Sequence, residues 1–422
     1  MPPIRPAGVS SSRRAGDSLG LAALLLLMLG VALHFVLPAS LLFYREAFSI
    51  CFACLIIQRG GMKVTSEVVA MLGFVAALSL LAILQPPTPP LYDEHEVISA
   101  WQAEHPLMSQ FRSAAIYIPM VAYLATRGIS HSEMVVIAWT MTSAAAVGLV
   151  ALVLGTSGLG LNQLALSGGG ELGYLDFIPL MAFYGLGGLY LLQSEINVVA
   201  RAIVSLVLLA IGLVIILSTG RQNLLWMGLI AVVFFLSASG NTRRRVLLAT
   251  FITAGLLGAA ATWYVMNFGA SEKLVERYGS IRSFFDLSSS PSVVSNSRLD
   301  LALSGCTMIP PVAWLVGVGL ESCPGPGPHC DYIRQVMRGG VVFAAVAYLP
   351  FILALTRWWR LRSREIRSPI VTWMCCMAMF PFFFGMFGFP REDACKAFGS
   401  FLAVGLCIAF ERSIPRPPQR AS

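Results

Sequence analysis

Long apolar segments are the feature that most limits what this chain can fold into. LGLAALLLLMLGVALHFVLP (19–38) and VVAMLGFVAALSLLAIL (68–84) are two of many along its 422 residues. A helix of roughly 20 apolar residues crosses the hydrocarbon core of a bilayer. Hydrophobic residues form 57% of the chain and charged residues only 12%, about half the charged share of a soluble domain. The sequence therefore predicts an all-α, polytopic integral membrane protein.

Turn residues and hydropathy divide the chain into about twelve candidate transmembrane helices, so we interpret residues 1–422 as a single transmembrane domain. The first segment lacks a convincing small-residue cleavage site and is interpreted as a retained helix rather than a signal peptide. The second carries Tyr44-Arg45-Glu46. The segments lie at about 19–37, 39–57, 67–84, 113–126, 134–154, 176–192, 202–218, 223–237, 246–267, 339–356, 370–388 and 397–411.

The basic residues predict the orientation of these segments. Lys and Arg concentrate in the cytoplasmic connections of membrane proteins, and with both termini cytoplasmic most of the 29 basic residues lie on that side. A basic face toward anionic lipid explains the net charge of +8, and no nucleic-acid partner is needed. The cytoplasmic residues are Arg5, Arg13, Arg14, Arg59, Lys63, Arg127, Arg201, Arg243, Arg244, Arg245, Arg357, Arg360, Arg362, Arg364, Arg367, Arg412, Arg416 and Arg420.

The same orientation puts three longer connections, 85–112, 155–175 and 268–338, on the outer side. The third lies between the ninth and tenth spans, and a connection of that length is usually functional or disordered. It contains Cys306, Cys323 and Cys330; one disulfide could form among them in an oxidising compartment, which would leave one cysteine over. Cys51 and Cys54 lie inside a span, where packing explains them better than redox or metal chemistry.

Charged residues near hydrocarbon are costly and therefore mark candidate functional positions. Arg221 lies in a Ser-Thr-Gly-Arg turn between two spans, Arg298 in the outer connection, and His329 directly after the stiff PGPGP segment. Each residue alone also has a plain structural explanation. Arg221 can extend its side chain to the membrane surface, Arg298 can pair with Asp300, and a loop histidine is usually solvated.

Four stretches follow one another in a recognisable order, from a turn arginine to a Gly-Gly pair before the tenth span. They read STGRQNLL (218–225), SRLDLALSG (297–305), WLVGVGL (314–320) and HCDYIRQVMRGGVVF (329–343). This order resembles the bacterial O-antigen ligase and polymerase superfamily. Three departures stand out: the turn reads TGRQ rather than Ser-Arg-Gly, Cys330 occupies a frequent Asn position, and Arg338 occupies a frequent acidic position.

The resemblance implies a fold and an activity. Members transfer a glycan from an undecaprenyl diphosphate carrier to a sugar hydroxyl at the outer face of the bacterial inner membrane, and are thought to need no metal. We accordingly expect a GT-C-like membrane domain with both termini cytoplasmic and the active site facing the periplasm. The connection 268–338, between helices 9 and 10, would be a long periplasmic loop that carries catalytic elements. No cofactor is implied.

The resemblance also assigns roles to residues. Arg221 and Arg298 would stabilise the leaving diphosphate, because guanidinium groups bind phosphate oxygens in pairs. His329 would take the proton of the attacking hydroxyl, because its pKa lies near operating pH. A single displacement would then invert the anomeric carbon. The residues predicted to bind substrate are Asp331, Tyr332, Arg334, Arg338 and Arg391, and Arg334 and Arg338 lie one helical turn apart.

Several functional alternatives stay open at this stage. A polymerase, which joins one carrier-linked repeat unit to another, is favoured over a ligase, which passes finished glycan to lipid A-core. A polysaccharide transporter or flippase is less favoured, since the chain shows no two-half repeat. Expected partners are the undecaprenyl-diphosphate-linked oligosaccharide, membrane lipid and a chain-length regulator protein. The cluster Asp93-Glu94-His95-Glu96 could supply a rival base or metal site, although a solvated acidic loop is the plainer interpretation.

Overall fold

The structure is a computed structural model in which every regular element of the described chain is a helix. The described residues are 11–33, 43–84, 106–156, 172–194, 196–217, 221–237, 311–317, 330–364, 368–386 and 394–413, with short helical pieces between 255 and 267. No strand occurs in these ranges. The predicted all-α class is therefore confirmed for this part of the chain.

The helices coincide with the predicted apolar segments. Eleven of the twelve segments each overlap one helix, whereas the ninth, 246–267, lies mostly outside the described residues. One further short helix, α9, falls in the predicted outer loop. The helices are α1 (Ser11–Ala32), α2 (Tyr44–Gln58), α3 (Ser66–Leu84), α4 (Pro106–Arg127), α5 (His131–Thr156), α6 (Leu172–Gln193), α7 (Val198–Leu217), α8 (Arg221–Ser237), α9 (Ala313–Val316), α10 (Asp331–Arg364), α11 (Pro369–Gly385) and α12 (Ala394–Ser413).

Four stretches of the described helices are long and apolar enough to cross a membrane: Ser66–Leu84, His131–Ala151, Val198–Ile215 and Asp331–Arg362. The stretch in α7 has a mean hydropathy of 2.7, yet only 22% of it is buried inside the protein. A helix that is apolar on its outer face as well suits contact with lipid. The helices thus indicate a membrane-embedded protein.

Aromatic side chains fill the centre of the bundle. Tyr190 of α6 stacks on Trp373 of α11 with ring centroids 4.8 Å apart. About two helical turns away on both helices, the rings of Phe183 and Phe380 are also 4.8 Å apart. Tilted and stacked rings at this separation add to the free energy of burial. This aromatic core joins α6 to α11.

Ion pairs join four helix ends at one end of the bundle. Arg59, after α2, pairs with Asp17 in α1, and Arg127 at the end of α4 pairs with Glu133 in the first turn of α5. Arg127 also approaches Asp17, with its Nε 3.7 Å from Oδ1. The beginnings of α1 and α5 therefore lie beside the ends of α2 and α4.

A second network extends the same end. Arg357 near the end of α10 forms two hydrogen bonds to Glu67 at the start of α3, of 2.7 and 2.9 Å, and also pairs with Glu411 in the last turn of α12. Arg412 donates to the Ala125 carbonyl of α4, which ties the two networks together. We call this the paired end, defined by Asp17, Arg59, Glu67, Arg127, Glu133, Arg357 and Glu411.

The tenth helix is broken and folds back on itself. Gly339 and Gly340 have non-helical backbone angles, and the Tyr348 hydroxyl donates to the Asp331 carboxylate at 2.6 Å. Seventeen residues of straight helix would separate these groups by about 25 Å. The chain therefore reverses at the two glycines, and 331–338 (α10a) packs beside the start of 341–364 (α10b).

This hairpin lies at the end of the bundle opposite the paired end. The helices α2, α4 and α12 run from here toward the paired end, since all three end there. We call it the hairpin end, defined by α10a and the starts of α2, α4, α8 and α12. The sequence predicted that the tenth span begins at Gly339; the structure has helix on both sides of that residue, and 331–338 of the predicted outer loop is helical.

Candidate functional site

The two glycine-containing stretches that carry the end of the family resemblance meet in space. A Cβ on Gly340 would overlap the Leu315 carbonyl of α9, and a Cβ on Gly317 would overlap the Arg338 carbonyl of α10a. Both glycines also have positive φ, 78° and 81°, which side chains rarely tolerate. Glycine at both positions therefore allows α9 to dock on the turn of the hairpin.

Asp331 anchors the first turn of α10a inside the protein. Its side chain is fully buried. One carboxylate oxygen accepts a hydrogen bond of 2.8 Å from Gln335 Nε2 and the other accepts the bond from Tyr348. A buried carboxylate needs such donors to offset its lost hydration. Asp331 was predicted to bind substrate, yet both of its oxygens accept hydrogen bonds from within the hairpin.

Tyr332 joins the hairpin to α11. Its ring stacks on Tyr348 with centroids 4.5 Å apart, and its hydroxyl donates to the Phe382 carbonyl at 2.7 Å. Gly385, at the end of α11, lies so close that a Cβ there would touch the Tyr348 hydroxyl. The last turn of α11 therefore forms one wall of the hairpin.

Two arginines and a glutamine complete α10a. Arg338 is 2% exposed and Gln335 is fully buried, whereas Arg334 is half-buried. Gln335 Oε1 has no hydrogen-bond partner among the described residues. Guanidinium groups here have the chemistry to bind an anion, and the glutamine amide retains an acceptor for a hydroxyl.

The start of α8 packs on the other side of α11. Trp226 is fully buried and contacts Phe383 and Phe384 at 5.1 and 5.6 Å. Asn223 is 2% exposed, and neither its Oδ1 nor Trp226 Nε1 finds a hydrogen-bond partner in the described chain. Polar groups left in this state favour a nearby polar ligand or water.

The predicted site residues fall into two groups. Asp331, Tyr332, Arg334 and Arg338 lie together in α10a, and Arg221 is the first residue of α8. The end of α11 thus stands between the helix that begins at Arg221 and the helix that carries the predicted substrate-binding residues. His329, Arg298, Arg391, Cys306, Cys323 and the cluster Asp93–Glu96 lie outside the described residues.

Sequence reasoning missed Tyr348, Gln335 and Asn223. Tyr348 lies in an apolar segment, where a tyrosine normally contributes only packing. Its local sequence therefore did not predict a hydrogen bond to Asp331. Gln335 and Asn223 lie near the predicted arginines. Their sequence signal was a polar residue close to a helix start in an otherwise apolar chain. In the part of the chain that the structure describes, no group of three or more His, Cys, Asp or Glu could hold a metal ion.

No family model matches this sequence, and no curated protein is significantly similar to it.

Proposed function

We propose that this protein is a bacterial polysaccharide polymerase that transfers glycan from an undecaprenyl diphosphate carrier to a carrier-linked acceptor sugar. The observation that supports it best is the contact between α9 and the α10 hairpin, since Gly317 and Gly340 belong to two of the four stretches that carry the family resemblance. If the stretches were unrelated to one another, two of them would not need glycines that let their backbones come into contact. The proposal includes about twelve spans in a GT-C-like arrangement.

The two ends of the bundle support the proposed membrane position. Arg59, Arg127, Arg357 and Arg412, which the charge asymmetry puts on the cytoplasmic side, belong to helices that meet at the paired end. The hairpin end would then face the periplasm from the inner membrane. Lipid-linked glycan is available to an enzyme on that side, together with a chain-length regulator protein.

The proposed reaction needs no cofactor. The acceptor hydroxyl oxygen forms a bond to the anomeric carbon, the bond from that carbon to the diphosphate oxygen breaks, and the carrier diphosphate leaves. Arg221 and Arg298 stabilise the negative charge on the leaving group, while His329 takes the hydroxyl proton. Arg334 and Arg338 add positive charge beside the diphosphate, and Tyr332 borders the sugar site.

Asp331 has a different role in this proposal. With both oxygens engaged by Tyr348 and Gln335, it positions α10a rather than touching the glycan. Arg391 stays a predicted substrate-binding residue.

The test uses purified full-length protein in detergent with synthetic undecaprenyl-diphosphate-linked repeat units and no energy source. A polymerase produces a ladder of longer carrier-linked products, and His329→Ala abolishes the ladder while the protein stays folded. Transfer that occurs only after lipid A-core is added would identify a ligase. If no glycan is transferred to either acceptor, the enzyme proposal is wrong and a transporter is favoured. Near-normal turnover of His329→Ala would refute the base assignment alone.

A further inference from the structure

Exposed residues recur every three or four positions along α10b. This spacing places them in a single row on one face, because an α-helix has 3.6 residues per turn. In a membrane-embedded protein, a row of this kind faces either lipid or another protein chain. The exposed row consists of Val342, Ala345, Leu349, Ile352, Thr356 and Trp359.

Two neighbouring tryptophans near the end of α10b have opposite surroundings. Trp358 is 8% exposed, and its Nε1 donates a hydrogen bond of 2.8 Å to the Val371 carbonyl of α11. Trp359, the last residue of the exposed row, is 64% exposed. Tryptophan is enriched where a membrane helix meets the headgroup region, because its ring is apolar and its N–H is polar. Trp358 therefore fixes the helix to the bundle, while Trp359 is placed to lie at the membrane surface.

Two arginines follow at the same helix end. Arg360 and Arg362 are both exposed. The guanidinium carbon of Arg362 lies 5.7 Å from the ring centroid of Trp358 and 5.9 Å from that of Trp359. A guanidinium over an aromatic ring is attracted to it, and the N–H groups at its edge can still bind phosphate oxygens. The tryptophans thus hold a positive charge beside the end of the exposed row.

We propose that the end of α10b binds one acidic phospholipid, with its headgroup phosphate at Arg360 and Arg362 and an acyl chain along the exposed row. The length of the row agrees with this. Leu349 and Trp359 are ten residues apart, which is about 15 Å along a helix. One leaflet fills half of the hydrocarbon core, which is roughly 30 Å thick. We call these residues the α10b lipid site: Leu349, Ile352, Trp359, Arg360 and Arg362.

Charge favours an acidic lipid over a second copy of the chain as the occupant. Two copies in one membrane have the same orientation, so their Arg360 and Arg362 side chains would lie at the same depth and repel each other. A negatively charged headgroup instead attracts both guanidinium groups. These charges lie on the outside of the bundle, in contrast to the buried ion pairs within the paired end. The site is independent of glycan transfer.

Quenching of tryptophan fluorescence tests the site. Full-length protein in neutral detergent is titrated with phosphatidylglycerol or phosphatidylcholine that carries bromine on its acyl chains, because bromine quenches a nearby indole. The chain has eight tryptophans, so the signal of Trp359 is the quenching that Trp359→Phe loses. In the wild-type protein, phosphatidylglycerol should reach half of this quenching at a lower mole fraction than phosphatidylcholine.

The arginine variants test the headgroup contact. Arg362→Gln should raise the half-quenching mole fraction of phosphatidylglycerol about fivefold, as for one basic residue near acidic lipid, and leave that of phosphatidylcholine unchanged. Arg360→Gln should act alike without removing the contacts of Arg362 with the two rings. Arg201→Gln, at an exposed arginine at the start of α7, is the matched control and should change neither value.

Several results would overturn the proposal. Equal half-quenching by the two lipids in the wild-type protein would show that acyl chains alone occupy the row. Unchanged phosphatidylglycerol binding in both Arg360→Gln and Arg362→Gln would remove the headgroup contact, and an equal loss in Arg201→Gln would show only a general effect of charge. Absence of quenching at Trp359 would exclude lipid, and a dimer in light scattering would then assign the row to a second copy. Since no transfer is measured, an inactive protein would refute the proposed function and leave this site standing.

Discussion

The two ends of the bundle hold their buried charges in different ways. At the paired end, Arg357 contacts both Glu67 and Glu411, so that opposite charges lie side by side. At the hairpin end, neutral groups donate to a buried carboxylate: Tyr348 and Gln335 both hydrogen-bond to Asp331. The more exposed Glu46 at this end pairs with Arg112. Charge pairing suits an interior that only has to hold helices together.

This difference indicates which end of the bundle can bind a polar or charged ligand in its interior. A charge that already has its counter-ion offers little to a ligand, whereas a charge held by neutral donors still attracts an opposite charge. Buried side-chain atoms without a hydrogen-bond partner in the described chain occur at both ends. At the hairpin end they include atoms of the neutral side chains of Gln335, Asn223 and Trp226, whereas at the paired end those of Asp17, Arg59 and Arg127 belong to residues that form ion pairs. This end is therefore the one that stands to gain from a polar ligand.

Removal of Arg357 should produce the largest effect. Arg357→Met leaves Glu67, which is 1% exposed, without its bidentate partner, and we expect a loss of about 3–5 kcal/mol in the free energy of unfolding. The measurement is unfolding by SDS titration in mixed micelles. Gln335→Met is the matched variant at the hairpin end, where Asp331 loses one neutral donor, and it should lose less, about 2 kcal/mol. Equal losses in the two variants would contradict the distinction between the ends.

A side chain at the turn of the hairpin should come next. Gly340→Ala would place a Cβ on the Leu315 carbonyl at a φ of 78°, which should cost about 3 kcal/mol and abolish glycan transfer. Gly73→Ala is the control, because Gly73 lies inside α3 with no atom within 4 Å of an added Cβ. It should stabilise the helix by about 0.5–1 kcal/mol. Retained transfer by Gly340→Ala would show that the hairpin does not shape the site.

The smallest effect is expected from loss of one hydroxyl. Tyr348→Phe removes the hydrogen bond to Asp331 but keeps the stacked ring, and should cost about 2 kcal/mol because the acceptor is a carboxylate. Tyr184→Phe removes a bond of 2.7 Å to the Met28 carbonyl and should cost about 1 kcal/mol. Only the first should lower the rate of glycan transfer, measured with the carrier-linked repeat unit. Equal transfer rates in both variants would leave Asp331 without a positioning role.

Much of the helical layout could be predicted because the signals are local. A long apolar run followed by turn residues forms a helix in any membrane-embedded fold, and eleven of the predicted segments coincide with helices. The spacing of Arg334 and Arg338 likewise predicts that both lie on one short helix. The reversal at Gly339–Gly340 could not be predicted, since two glycines permit a helix start, a kink or a full turn.

The sequence by itself determined that this is a helical, membrane-embedded chain, because composition and periodicity act locally. Only the tertiary structure decided which charges are compensated. Arg357 and Glu67 are 290 residues apart in the chain yet form a bidentate ion pair at the paired end, whereas Glu46 pairs with Arg112, 66 residues away, rather than with its neighbour Arg45. Whether a charge finds its partner depends on how the helices pack, and packing is a property of the whole bundle.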